Sequence, residues 1–378
     1  MYTKRNVGGK LLCCGYTTGA CAAAAAKAAT LTLLGGAPAA TVAVCTPGGI
    51  SLSLDICDIE MSADSVRCAV QKDSGDDPDV TNGILVYADV NKAVCGICID
   101  GGDGVGRVTK PGLDQPVGAA AINSVPRQMI ADAVKEACAS FGYEGGISVT
   151  ISIPGGEAIA QRTFNPRMGI EGGLSVIGTT GIVEPMSNKA LIETIRLELN
   201  QLYAGGAREV LFTPGNYGET FARDKLRLSP AGHIVCSNFI GDAIDAAVEL
   251  GFTKILLIGH IGKLVKLGIG VTNTQSAFGD GRMETLIACA LEAGGRLPLL
   301  KAIAESVTTD AALGLLHDAA LLDKTMLLLG GRIDACLKRR VSEGVSIGFV
   351  CFTNAEPFNG ILCQSVNAEE LMQTWRSL

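Results

Sequence analysis

Residues 162–187 read RTFNPRMGIEGGLSVIGTTGIVEPMS, and the fold reading turns on them. The spacing predicts a loop, a short apolar strand over 174–177, a tight Gly-Thr-Thr-Gly turn at 178–181, and then a new helix. Glycine admits positive φ and close approach to the backbone. A turn that opens a helix also leaves N–H groups directed at whatever sits there, which favours an anion. A Gly-rich connector between two domains is the plain alternative.

Upstream of this stretch the pattern is α+β. KLLCCGYTTGACAAAAAKAATLTLLGG begins at Lys10 and reads as a strand, a Thr-Thr-Gly turn, and an Ala-rich helix ending at Gly35 and Gly36. Thr17 or Thr18 supplies its N-cap. Strand, Thr-Thr-Gly and helix are therefore expected twice. ATVAVCTPGGISLSLDICDIE, SVRCAVQK, ILVYADV and AVCGICID read as strands, most with antiparallel connections. Residues 125–141 form an amphipathic helix with Pro126 in its first turn. Downstream, helices alternate with short apolar runs (REVLFTPG, HIVCSN, TKILLIG), the signature of parallel βαβ units. A helical section over 283–339, a strand at VSIGFVCFT and a helix over 368–376 complete the chain.

The expected fold is thus α+β and α/β. A two-layer α+β domain occupies 1–187 and a Rossmann-like doubly wound domain occupies 188–345. A strand and helix over 346–378 pack back on the body. Ligands are expected at the C-terminal ends of the second domain's strands, where Asn216, Gly218 and His260 fall.

Composition narrows the function. The chain has 378 residues, a formal net charge of −7 and 4% aromatic residues, which argues against a nucleic-acid partner. No apolar run is long enough to span a bilayer; 254–271, the richest, is broken by His260, Lys263 and Lys266. MYTKRNVGGK has no apolar signal core, so a soluble cytoplasmic protein is expected. Its 14 cysteines are read as reduced thiols serving as small core residues, including Cys95 and Cys98, whose CxxC spacing lacks a second ligand pair.

Neither a catalytic triad nor a zinc motif accompanies the three histidines. GGDGVG at 101–106 has a dinucleotide-like string but reads as a hairpin turn. The acidic loop with Asp73, Asp76, Asp77 and Asp79 reads first as a solvated turn, with binding of a hard cation through oxygens, a hydrogen bond to a ligand or a general base as the alternatives. His260, Lys263 and Lys266 share a helical face. They form either a solvated edge with a capping histidine or a clamp for carboxylates.

Taken in order, GYTTGACAAAAAKAA, KDSGDDPDVTNG, GGDGVGRVTKPGL, AINSVPR, TFNPRMGIEGGLSVIGTTGIVEPMS, GNYGE and GHIGKLVKLGIGVTNTQS with GDGRMET resemble the cobalt-precorrin-5B C1-methyltransferases of anaerobic cobalamin biosynthesis. The resemblance covers about three quarters of the chain. It departs from the family pattern at Asn82 and Gln275 (usually His), Ser124 (usually Pro) and Gly281 (usually Ala).

The resemblance implies methyl transfer from S-adenosylmethionine to C1 of a cobalt-bearing corrinoid, giving cobalt-precorrin-6A and S-adenosylhomocysteine. Cobalt would be present only as part of the substrate, with no metal site on the protein. Positioning and water exclusion would carry the reaction. Under this reading Gly178, Thr179, Thr180 and Gly181, with Asn216 and Gly218, bind the methyl donor. Thr17, Thr18, Gly19, Asp103, Lys110, Arg167, Lys263 and Lys266 bind the substrate and its carboxylates. No catalytic residue is fixed; Asp76, Asp77 and His260 are the candidates. Oligomeric state is not readable. Two other readings stay open: a corrinoid carrier without donor binding, and a nucleotide-dependent kinase, which lacks its GxxxxGK[ST] loop.

Overall fold

The computed structural model describes residues 4–7 and 9–376; Met1–Thr3 and Gly8, which belong to the MYTKRNVGGK stretch, lie outside the described residues. The fold is mixed α/β, in two compact units, Met1–Asn188 and Lys189–Leu378.

In the first unit β1 (Lys4–Val7) and β2 (Lys10–Cys13) form a hairpin, and β3 (Gly15–Tyr16) leads into α1 (Thr18–Gly35). Alanine dominates α1 because every side packs: its residues from Thr18 to Thr30 are buried against the sheet, the second long helix and a hairpin. Thr17 Oγ1 caps it by accepting from Ala20 N, and Gly36, left-handed at φ 73°, ends it. The hairpin is β4 (Thr41–Cys45) with β5 (Ser51–Asp55).

The sheet follows with β6 (Cys57–Met61), β7 (Ser65–Gln71), β8 (Leu85–Ala93) and β9 (Ile97–Gly101). After β10 (Arg107–Val108), α2 (Ser124–Ser140) packs on α1, and β11 (Gly146–Ser152) inserts between β8 and β9. The order is β6-β7-β8-β11-β9, antiparallel except for the parallel β11–β9 pair. Alternation along β7, β8 and β11 turns one face toward α1 and α2. The short α3 (Gly156–Ala160), β12 (Ile170–Glu171) and β13 (Ile182–Val183) finish the unit.

Four sequence expectations are corrected here. The 178–181 turn opens no helix: it leads into β13, which pairs with β3. Residues 174–177 form no strand; Leu174 and Val176 make only isolated bridges to Val105 and Ile122. GGDGVG is no hairpin turn, since β9 and β10 belong to different sheets. Gly104, at φ 68°, lies where a Cβ would sit 1.8 Å from the Ile153 carbonyl oxygen, so close backbone packing explains that glycine. Cys95 and Cys98 are exposed rather than core, because Cys95 lies in the bend before β9; seven of the 14 free cysteines are buried.

The second unit opens with α4 (Asn188–Ala204) and continues β14 (Glu209–Thr213), α5 (Asn216–Asp224), β15 (His233–Val235), α6 (Ile240–Leu250) and β16 (Lys254–His260). A short α7 (Ile261–Leu264) runs directly into a 3₁₀ turn, Val265–Ile269. Helices α8 (Arg282–Ala293), α9 (Leu297–Ala304), α10 (Thr309–Asp318) and α11 (Leu322–Lys338) precede β17 (Ser346–Thr353), β18 (Gly360–Gln364) and α12 (Ala368–Arg376).

The sheet order is β15-β14-β16-β17-β18, parallel up to β17, with β18 antiparallel at the edge. Alternate residues of one strand enter two cores. Val210, Phe212, Ile255 and Leu257 join the side of α4, α6, α8 and α11, while Leu211, Leu256 and Ile258 join the side of α5 and α12. Burial on both faces explains the unbroken apolar run of β16. From β14 the chain moves to one side of the sheet and from β16 to the other, so the order reverses between these two strands. Their C-terminal ends flank the crevice where open α/β sheets bind ligands.

Candidate functional site

In the first unit the two Thr-Thr-Gly segments meet. Thr17 N donates to Gly181 O at 3.1 Å, Gly19 N to Ile177 O at 3.0 Å, and Gly48 N to Thr180 O at 3.2 Å. Thr18 Oγ1 donates to Ile177 O and accepts from Ile177 N. A Cβ on Gly178, at φ 141°, would fall 2.2 Å from Thr17 Oγ1. The helix start expected to hold an anion is therefore occupied by the protein's own backbone, and Thr17, Thr18 and Gly19 are buried. Thr180 Oγ1 bonds both main-chain groups of Ile182, and Thr179 is exposed.

The acidic loop is a buttress for the same region. Tyr16 N donates to Asp73 O, and a bridge joins Cys14 to Gly75. Asp76 Oδ2 accepts from Cys13 N at 2.6 Å, and Asp77 Oδ2 from Met186 N at 3.0 Å. Lys72, 3% exposed, donates to Ser74 Oγ and to Asp79 Oδ2, the latter at 2.7 Å. Burial pushes the Asp79 carboxyl up, but the bonds from Lys72 and Thr81 outweigh it and hold the group below the usual range. Asn82 Oδ1 accepts from Ser74 N at 2.9 Å, a structural role that an imidazole nitrogen also fills. Among the described residues, no group of three or more His, Cys, Asp or Glu is placed to hold a metal.

Two further candidates come together. Lys110 Nζ reaches Arg167 O at 3.3 Å, its stem lying over Gly169, and both side chains are exposed. Asp103 is exposed and accepts from Ile153 N through its carbonyl.

In the second unit the crevice between β14 and β16 is built from backbone and cations. Gly215 begins α5, and Asn216 and Tyr217 stand exposed at its first turn. Gly218 is required for packing: a Cβ there would meet Ile258 O at 2.7 Å. His260 caps α7, its Nδ1 accepting from Gly262 N at 3.1 Å, and burial lowers its pKa against the opposing pull of Asp310. The Tyr217 ring lies 6.4 Å from it.

Lys263 donates to Pro214 O and, at 3.3 Å, to Ser237 O, so one ammonium ties together the ends of β14, β15 and β16. Burial lowers its pKa. Lys266, 2% exposed, donates to Thr274 O at 3.2 Å and Gly279 O at 3.0 Å, with Asp280 at 3.7 Å. Both lysines line a cleft of about 480 Å³ with Asn238, Thr274, Gln275 and Arg282. Asn238 and Arg282 escaped sequence reasoning. Arg282 lies within the quoted GDGRMET string, whereas nothing local marked Asn238.

The chain matches known proteins along both units. Residues 5–185 match the family described as CbiD, and residues 273–360 match its C-terminal domain. The cobalt-precorrin-5B C(1)-methyltransferase of Ruminiclostridium cellulolyticum is 48% identical over 346 residues, 92% of this chain and 90% of that protein. That of Alkaliphilus metalliredigens is 41% identical over 370 residues, 98% of this chain and 96% of that protein. The crystal structure of a cobalamin biosynthesis protein (cbiD) from Archaeoglobus fulgidus is 28% identical, with 76% of this chain and 86% of that one covered at a TM-score of 0.38. On the identity and reach of the two methyltransferase relatives, the chain belongs to the CbiD family.

Proposed function

We propose that the chain transfers a methyl group from S-adenosylmethionine to C1 of cobalt-precorrin-5B, giving cobalt-precorrin-6A and S-adenosylhomocysteine in cobalamin biosynthesis. The carrying observation is the near full-length match to relatives bearing the name cobalt-precorrin-5B C(1)-methyltransferase. Cobalt belongs to the substrate in this reading.

S-Adenosylmethionine, when bound, supplies a methyl group already activated on a sulfonium. The residues of this chain then have to hold two large ligands in line and keep water out. The crevice between β14 and β16 is suited to this, with Asn216 and Gly218 bordering it on one side and Lys263 and Lys266 offering cationic donors on the other. Under this proposal the donor lies along the loop at Asn216. The 178–181 segment, committed to α1, serves as scaffold for the first unit. Lys110 and Arg167 remain a surface pair for substrate carboxylates, and His260, held neutral as a helix cap, is the residue nearest to a proton carrier in the crevice.

The finer fold reading belongs to the same proposal: an α+β unit over 1–187, a Rossmann-like one over 188–345, and 346–378 completing it. The sheet order and the helices on both faces support the Rossmann-like part. Among the described residues no helix is long and apolar enough to cross a membrane; a cytoplasmic location is part of the proposal.

Calorimetric titration with S-adenosylhomocysteine, with ATP as control, tests it. Saturable binding of the first alone is the expected result. Binding of ATP alone contradicts it. Corrinoid binding without S-adenosylhomocysteine binding, even with corrinoid present, replaces the enzyme with a carrier.

A further inference from the structure

The charges of the cleft do not balance. Lys263, Lys266 and Arg282 line it, and the carboxylate that meets them is that of Asp280. Arg282 already takes both Asp280 oxygens, Nη2 to Oδ2 at 2.8 Å and Nε to Oδ1. Lys266 is left with Asp280 at 3.7 Å and two backbone carbonyls, and Lys263 with carbonyls of Pro214 and Ser237. Carbonyl dipoles solvate an ammonium but do not neutralise it, and half-buried Lys263 has only carbonyls as partners where buried Lys266 has the distant Asp280. Lys263 has three donors and two acceptors on the protein.

Asn238 adds a donor to the wall. Thr274 Oγ1 donates to Asn238 Oδ1 at 3.1 Å, which holds that amide with its Nδ2 as the group left to donate. Gln275 stands beside it. The cleft lies at the C-terminal ends of the strands flanking the order reversal, where α/β sheets take ligands.

We propose that this cleft is a carboxylate subsite: a ligand carboxylate bridges Lys263 and Arg282, over Lys266, with Asn238 donating to its second oxygen. This rests on the methyl-transfer reading, which supplies two sources of that chemistry, the amino-acid carboxylate of the methyl donor and an acetate or propionate arm of the corrinoid.

Paired probes separate the sources. S-Adenosylhomocysteine is compared with 5′-methylthioadenosine, which lacks the amino-acid part. A cobalt corrinoid with free carboxylate arms is compared with its methyl ester. Wild type should bind one carboxylate-bearing member more tightly than its partner, by about ten- to a hundredfold for a charge-assisted bond. Lys263→Met and Arg282→Ala should each reduce that preference toward unity; thermal unfolding reports whether each variant is folded. The pair that loses its preference identifies the source. Equal binding of both members of both pairs by wild type, or a preference untouched in both folded variants, overturns the subsite. Methyl transfer that persists with an untouched preference removes the subsite and keeps the enzyme. A preference lost in the variants of a protein that transfers no methyl keeps the subsite and removes the enzyme.

Discussion

Thr18 and Ile177, 159 positions apart, are joined twice through one hydroxyl: Thr18 Oγ1 donates to Ile177 O at 3.1 Å and accepts from Ile177 N at 3.0 Å. A side chain thus completes the main-chain pairing that β3 and β13 begin, and it closes the start of α1 against the 177–181 segment. Gly178→Ala should destabilise the first unit by about 3 kcal/mol, because φ 141° and the collision with Thr17 both oppose a Cβ. Thr18→Val should cost about 2 kcal/mol through two lost partners. Denaturant unfolding measures both, and wild-type stability in Gly178→Ala would contradict this account.

Lys72 and Asp79 anchor the acidic loop. Lys72→Met should cost about 3 kcal/mol, since it leaves a part-buried carboxylate without its cation. The Asp79 carboxyl is lowered in the fold, so its contribution is whole above the unfolded value of about 3.9 and is lost as pH falls through the lower folded value. In Lys72→Met burial is no longer opposed by the ammonium, the folded value rises, and the acid-dependent loss from Asp79 should shrink or reverse. Urea unfolding from pH 7 to pH 3 gives the comparison, and superimposable profiles would refute the pairing.

Asn82 serves the loop rather than proton transfer, because its Oδ1 accepts from Ser74 N. Asn82→Ala should lower stability by about 1 kcal/mol, and Asn82→His should restore it without altering the pH profile of turnover. A shifted pH profile at unchanged stability would make position 82 a proton carrier instead.

His260 should titrate below the ordinary value of about 6.5. Burial disfavours the charged ring, and protonation at Nδ1 would remove the acceptor of Gly262 N. The folded form resists the proton, so the stability from His260 is whole above about pH 6.5 and falls as pH drops toward its lower folded value. With three histidines in the chain, an NMR titration resolves it. A midpoint at or above the ordinary value contradicts the cap.

The helix-and-strand alternation of the second unit was legible because each element declares itself locally: β16 is a continuous apolar run, and α6 ends at left-handed Gly251. His260 caps α7, as its position before the helix suggested, while Lys266 is buried rather than on a solvated edge. What escaped depends on partners distant in sequence. The 178–181 turn looks like a helix start because nothing near it names Gly15 and Tyr16 as its strand partner. Cys98 alternates with Ile97 and Ile99 in β9 and is exposed, and Cys95 lies in the bend before that strand. The cleft gathers Asn238 after β15, Lys263 in α7 and Arg282 in α8, a set that only the tertiary fold assembles.

Methyl transfer is measured directly by anaerobic incubation of the protein with cobalt-precorrin-5B and S-adenosylmethionine carrying an isotope-labelled methyl group, followed by mass spectrometry of the corrinoid. The expected result is one labelled methyl on the corrinoid, located at C1, with S-adenosylhomocysteine formed in equal amount. A corrinoid that returns bound but unlabelled would contradict it and make the protein a carrier.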